Sequence, residues 1–149
     1  MKKSPLSKIG KSPVSQAKQR VQALLRLLAI KRAGGCILRH YSEAGLCGGH
    51  RKDGELILQF DHLSTREKNI SWHVDLGVIV CIRHHLYFKR QYPAEYERMA
   101  IDNIGEERAK FLYRVRADHK PHPMSLWDWN KLEIYLSSEL KKLSEKNGR

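Results

Sequence analysis

Two stretches decide the fold: Glu55-Leu-Ile-Leu-Gln-Phe-Asp-His-Leu63 and Cys81-Ile-Arg-His-His-Leu-Tyr-Phe-Lys89. In the first, Leu56, Leu58 and Phe60 alternate with Ile57, Gln59 and Asp61, the period of a strand, here one ending in Asp-His. In the second, Cys81 closes an apolar run, Leu76–Ile82, that reads as another strand. A helix is expected from about Cys81 to Gln91, stopping before Tyr92-Pro93. Adjacent helical residues point roughly 100° apart, so His84 and His85 serve different directions, and Lys89 lies one turn beyond His85.

Cys81-x-x-His84 has a counterpart upstream in Cys47-Gly-Gly-His50. One thiolate and one imidazole from each give a tetrahedral Cys2His2 set suited to structural Zn2+, with the glycines allowing a tight turn around the ion. Cys36 with His40 is a competing first pair, spaced less well and farther from the strand. Three cysteines cannot all pair within one chain, so they read as buried thiols or metal ligands.

The charge lies elsewhere. The chain has 149 residues, 28 Lys or Arg, 16 Asp or Glu and a formal charge of +12. Residues 1–33 hold nine of the basic residues and no acid, while six of the eight histidines and all three cysteines fall within 34–93. Such a balance points to a polyanion, most simply nucleic acid, and no apolar run reaches the ~20 residues of a membrane span. Residues 1–12 read as a disordered tail. Ser12-Pro13 opens a helix running to about Arg32 and stopped by Gly34-Gly35. Its apolar stripe is Ala17, Val21, Leu24, Leu25 and Leu28. Lys18, Arg20, Arg26, Lys31 and Arg32 lie mostly off that stripe and are candidates for phosphate contact, with Lys89 and Arg90 beyond the second strand. Further helices are expected at about 94–101 and 105–117. A last one begins at the capping pattern Ser125-Leu-Trp-Asp128, with Leu126, Trp129, Leu132, Leu136, Leu140 and Leu143 as its stripe. The pair Trp127/Trp129 reads as core packing.

A strand ending in Asp-His, a loop, a second strand, then Cys-x-x-His-His opening a helix with a nearby Lys resembles the HNH, or ββα-metal, endonucleases over about residues 45–91. Many members carry Cys-x-x-Cys where this chain has Cys-x-x-His. The succession Tyr92-Pro93-Ala-Glu-Tyr96, Ile104-Gly105-Glu106-Glu107-Arg108 and a Lys/Leu-rich final helix is similar, more loosely, to phage NinG-type recombination nucleases. The resemblance implies a general base at His62 and one catalytic Mg2+ or Mn2+ held by Asp61 and His85, with Lys89 pinning a phosphate. It also implies an Asn before the second strand. Here Asp75 is the nearest candidate and Asn69 a remoter one.

The expectation is therefore an α+β protein: a basic tail and helix (1–33), a zinc-stapled ββα-metal core (34–92) and a helical appendage (93–149). Its expected activity is divalent-metal-dependent hydrolysis of DNA phosphodiesters, in phage recombination or branched-DNA processing. A homing or nicking HNH nuclease on ordinary duplex and a non-catalytic zinc-stabilised DNA-binding module are the alternatives. The expected partner is duplex or branched DNA, with a possible homodimer and no membrane. The expected location is the cytoplasm, that of a bacterial host if the chain is phage-encoded.

Overall fold

A computed structural model describes residues 11–64, 72–118 and 123–147. Residues 1–10 of the basic tail, and Asn69, lie outside these. Helix α1, Pro13–Ala33, starts and stops where its caps dictate: the Ser12 hydroxyl accepts from the Ser15 amide, and Gly34 takes a φ of +68°. Two short 3-10 turns follow, Ile37–His40 and Ser42–Ala44. Strands β1, Leu58–His62, and β2, Gly77–Cys81, pair antiparallel, with His62 opposite Gly77 and Leu58 opposite Cys81. A π-helical turn, His84–Phe88, runs into α2, Lys89–Gln91; the Lys89 amide bonds back to the His84 carbonyl. Helices α3, Pro93–Ile104, α4, Glu106–Ala117, and α5, Leu126–Asn147, complete the chain.

The α+β class is borne out: helices flank a small two-stranded sheet. Side-chain alternation along β2 sends its residues to opposite faces. Val78 and Val80 join Tyr96, Met99, Leu112 and Val115 of α3 and α4 in one apolar cluster. Ile79 joins Val21, Leu25 and Leu28 of α1 and Trp129 and Leu136 of α5 in the other. The final 57 residues therefore divide, with α3 and α4 on one face of the sheet and α5 against α1 on the other. Trp129 is buried as expected, but Trp127 is 63% exposed and takes Lys131 against its ring. Ser125 and Asp128 cap α5 reciprocally. No helix among the described residues is long and apolar enough to cross a membrane.

The first strand is shorter than its alternation suggests. Leu56 pairs instead with His50 in an isolated antiparallel bridge, and Ile57 bonds to the Gly49 carbonyl. The chain between Gly48 and Ile57 thus folds back on itself before β1 begins.

Candidate metal centre and adjoining acid-histidine groove

Beneath the end of β2, four side chains converge. His84 is fully buried, and its Nδ1 stands 3.3 Å from Cys36 Sγ, 3.3 Å from Cys81 Sγ and 3.9 Å from Cys47 Sγ. All four donor atoms lie within 4.8 Å of one another. A tetrahedral ion with Zn–S near 2.3 Å and Zn–N near 2.0–2.1 Å needs S···N separations of roughly 3.5 Å. The observed spacing fits that. His84 Nε2 meets the Ala44 carbonyl at 3.1 Å. A carbonyl only accepts, so Nε2 carries the proton and Nδ1 presents its lone pair to the sulfurs. Burial pushes the His84 pKa down, which keeps the ring neutral as a ligand must be. Burial also pushes the Cys36 thiol up, and burial together with the neighbouring Cys36 pushes Cys47 up to about 12. Three thiols packed around one imidazole cannot ionise together without a cation, so the cluster could bind zinc.

The ligand set departs from the two matched pairs. Cys47, Cys81 and His84 are in the cluster; His50 is not. It is exposed, turned into solvent by its bridge to Leu56. Cys36 replaces it, delivered by the chain leaving the C-terminus of α1, while His40 stays outside and accepts from Arg39 Nε. The glycines after Cys47 serve close approach. A Cβ on Gly49, whose φ is +87°, would lie 2.9 Å from Ile82 Cβ, and one on Gly48 would lie 3.0 Å from Arg83 Cδ. They let this segment lie against the second motif.

One residue after His84, the other imidazole faces the other way, as the helical offset predicts. His85 Nε2 is 3.2 Å from Asp61 Oδ1. Asp61 is buried and also accepts from Lys89 Nζ, at 2.8 and 2.7 Å to its two oxygens, and from the Tyr96 hydroxyl at 2.6 Å. Burial alone would raise its pKa, but the bonds from His85, Lys89 and Tyr96 and the Lys89 charge outweigh it and hold the carboxyl at about 2. The Tyr96 phenol is driven upward by burial and by the Asp61 charge, so it remains a donor. Two ligands on adjacent octahedral vertices around Mg2+ stand roughly 3 Å apart. The Asp61–His85 separation matches that spacing as well as a hydrogen bond. His85 Nδ1, moreover, is buried with no hydrogen-bond partner among the described residues. A cation placed there would share Asp61 with the Lys89 ammonium, which already contacts both of its oxygens.

His62 lies on the opposite face of β1 from Asp61, its ring edge-on to Phe60 and Trp72 at centroid distances of 4.9 and 4.8 Å. Both His62 and His85 nevertheless open onto one groove of about 430 Å3, whose walls include Gln22, Arg26 and Gln59. Arg26 is fixed there by its Nε–H to the Leu58 carbonyl at 2.6 Å.

Other site candidates sit elsewhere. The described partners of Asp75 are Arg32 at 3.1 Å, Arg108 at 3.7 Å and His73. It faces the two guanidinium groups, away from the Asp61–His85 pair. Arg20, Lys31 and Arg32 reach across to Glu133, Ser144 and Glu139 of α5. The first helix's charge is therefore partly used to fasten α5, and of its basic candidates only Arg26 enters the groove. Lys18 stands 5.4 Å over the Trp72 ring, and Arg90 is exposed beside His85. Lys89 faces Asp61 directly. The sequence alone does not mark Tyr96 as a site residue; it lies in the first turns of α3, which Pro93 opens, and is buried against Asp61. Arg116 was also missed: its guanidinium donates to the Leu63 carbonyl at 2.9 and 2.8 Å and pins the chain just after the Asp-His pair.

Comparison with known protein families, curated proteins and solved structures gave no match.

Proposed function

We propose that the protein is a divalent-metal-dependent DNA endonuclease of the HNH type, with a structural zinc in the Cys36–Cys47–Cys81–His84 cluster. The observation that carries this reading is the opening of His62 and His85 onto one groove, with buried Asp61 in contact with His85 behind it, beside a separate thiol-rich cluster. A strand-borne imidazole that opens onto the groove suits a general base that takes a proton from water. A cation at Asp61 and His85 would stabilise charge building on the phosphoryl oxygens and the leaving 3′-oxygen. Lys89 and Tyr96 keep Asp61 ionised and oriented, and Arg26 adds positive charge to the groove wall. The cysteine cluster ties α1's exit, the Cys47 loop and β2 together, fixing the helix that carries His85.

The resemblance to phage recombination nucleases, together with the +12 charge, supports branched or duplex DNA as substrate. A second reading is favoured by Lys89, whose ammonium covers both oxygens of Asp61. If it stays there, the carboxylate is a scaffold and the protein is a zinc-stabilised DNA-binding module without catalysis. Incubating purified protein with plasmid and branched DNA under Mg2+, Mn2+ or EDTA separates the two. Cleavage that requires the cation supports the nuclease, and binding with no cleavage under any cation supports the module.

A further inference from the structure

A cavity of about 330 Å3 lies between the end of α1, the Ile37–His40 turn, β2 and the α3–α4 corner. Its walls carry Arg32, Arg39, His40, Asn103 and Arg108. Arg32 and Arg108 share one carboxylate, Asp75 Oδ1, at 3.1 and 3.7 Å. The other acid near Arg32, Glu139 at 3.4 Å, is itself shared with Lys142 at 2.8 Å. Arg39 has no carboxylate among the described residues: it donates to the Gly34 carbonyl and to His40. Arg32, Arg39 and Arg108 thus line one concave site, and the acids near them, Asp75 and Glu139, are not among its walls. Burial and the neighbouring Arg32 both press the Arg108 pKa down against the pull of Asp75, as expected of cations crowded together. The backbone also contributes form: Arg108 donates toward the Asp75 and Gly77 carbonyls, which holds its guanidinium at the mouth.

We propose that this arginine-lined cavity binds a single phosphoryl group, with Arg39 as its principal ligand and Arg32, Arg108 and Asn103 around it. Guanidinium forks match phosphate oxygens, and an amide adds a neutral donor. The cavity is too small for a duplex, and its polar wall is unlike an apolar ligand pocket. The phosphoryl group has two possible sources, free phosphate or a DNA strand. The inference is independent of the nuclease reading, since it uses neither His62 nor Asp61.

The test is thermal melting of the full chain in inorganic phosphate against chloride at matched ionic strength, for wild type, Arg39→Gln and Asn103→Asp. Asn103→Asp places a negative charge in the cavity while leaving Arg39's bond to Gly34 in place, so it guards against a folding defect in Arg39→Gln. Wild type is expected to gain about 3–5 °C, saturably, at tenfold excess over Kd, and both variants to lose most of that gain. General salting-out by phosphate raises all three proteins alike, and equal gains overturn the proposal. Binding of 5′-phosphorylated and 5′-hydroxyl oligonucleotides then identifies the source. A preference of about tenfold for the phosphorylated end, lost in both variants, assigns the cavity to a strand terminus. Equal binding of the two, weakened by both variants with the salt slope lowered by about one, assigns it to the DNA backbone. Phosphate stabilisation with DNA binding unchanged assigns it to free phosphate.

Discussion

Cys36 Sγ and His84 Nδ1 stand 3.3 Å apart although 48 residues separate them, and the contact joins the exit of α1 to the start of the helix that carries His85. A metal held there ties the basic helix to the acid-histidine groove.

Cys36→Ser is expected to lose the bound zinc and to lower the melting temperature by about 10 °C or more, since binding energy at such a centre is folding energy. His50→Ala should keep both zinc and melt. Metal analysis of the two variants decides between Cys36 and His50 as the fourth ligand; zinc retained in Cys36→Ser, or lost in His50→Ala, would reverse the assignment.

Tyr96→Phe removes one donor from a buried carboxylate and leaves the ring in place. A hydrogen bond to a charged group contributes roughly 1.5–3 kcal/mol, so denaturant unfolding should show a loss of that order. A loss under about 0.5 kcal/mol would mean that Asp61 is held without the phenol.

Asp61 makes stability depend on acid. Its folded pKa of about 2 lies below the ordinary carboxylate value of 3.8, so its contribution is fully present above about pH 4 and is lost as pH falls toward 2. The amount is on the order of 2 kcal/mol. Wild type should therefore lose more stability than Asp61→Asn between pH 5 and 2, measured by urea titration of each; parallel pH profiles would contradict the low pKa.

Much of this was legible in the chain, and the misses share a cause. The caps of α1, the two strands and the opposite aims of His84 and His85 are local or follow from residue period, whereas the pairing of Asp61 with His85 comes only from the HNH resemblance. Matched Cys-x-x-His spacing, a local signal, favours His50 over Cys36. The choice is made by tertiary placement: the 48–57 segment folds back and carries His50 outward, while the end of α1 carries Cys36 in. Asp75 is only the nearest candidate for the Asn that the HNH resemblance implies, and Arg32 and Arg108, distant along the chain, draw it to their side. The charge of α1 suggested a phosphate face, and its use against α5 shows only once both helices are in place.

That use has a consequence for binding. Arg20 is engaged by Glu133, at 2.9 Å, and Arg26 faces the groove. Arg26→Ala should lower the salt slope of DNA binding by about one, and Arg20→Ala should leave it unchanged while costing at most ~1 kcal/mol of stability. Equal slopes for both variants would remove α1 from the proposed DNA path.

The proposed chemistry rests on His62, and the most direct measurement is single-turnover cleavage of plasmid and branched DNA with Mg2+ or Mn2+ by wild type and His62→Ala, with DNA affinity measured in parallel. Loss of a general base should slow cleavage by about 10²–10⁴-fold while affinity, zinc content and melting temperature stay near wild type. Cleavage that survives in His62→Ala, or no cleavage by zinc-loaded wild type under either cation, would contradict the account.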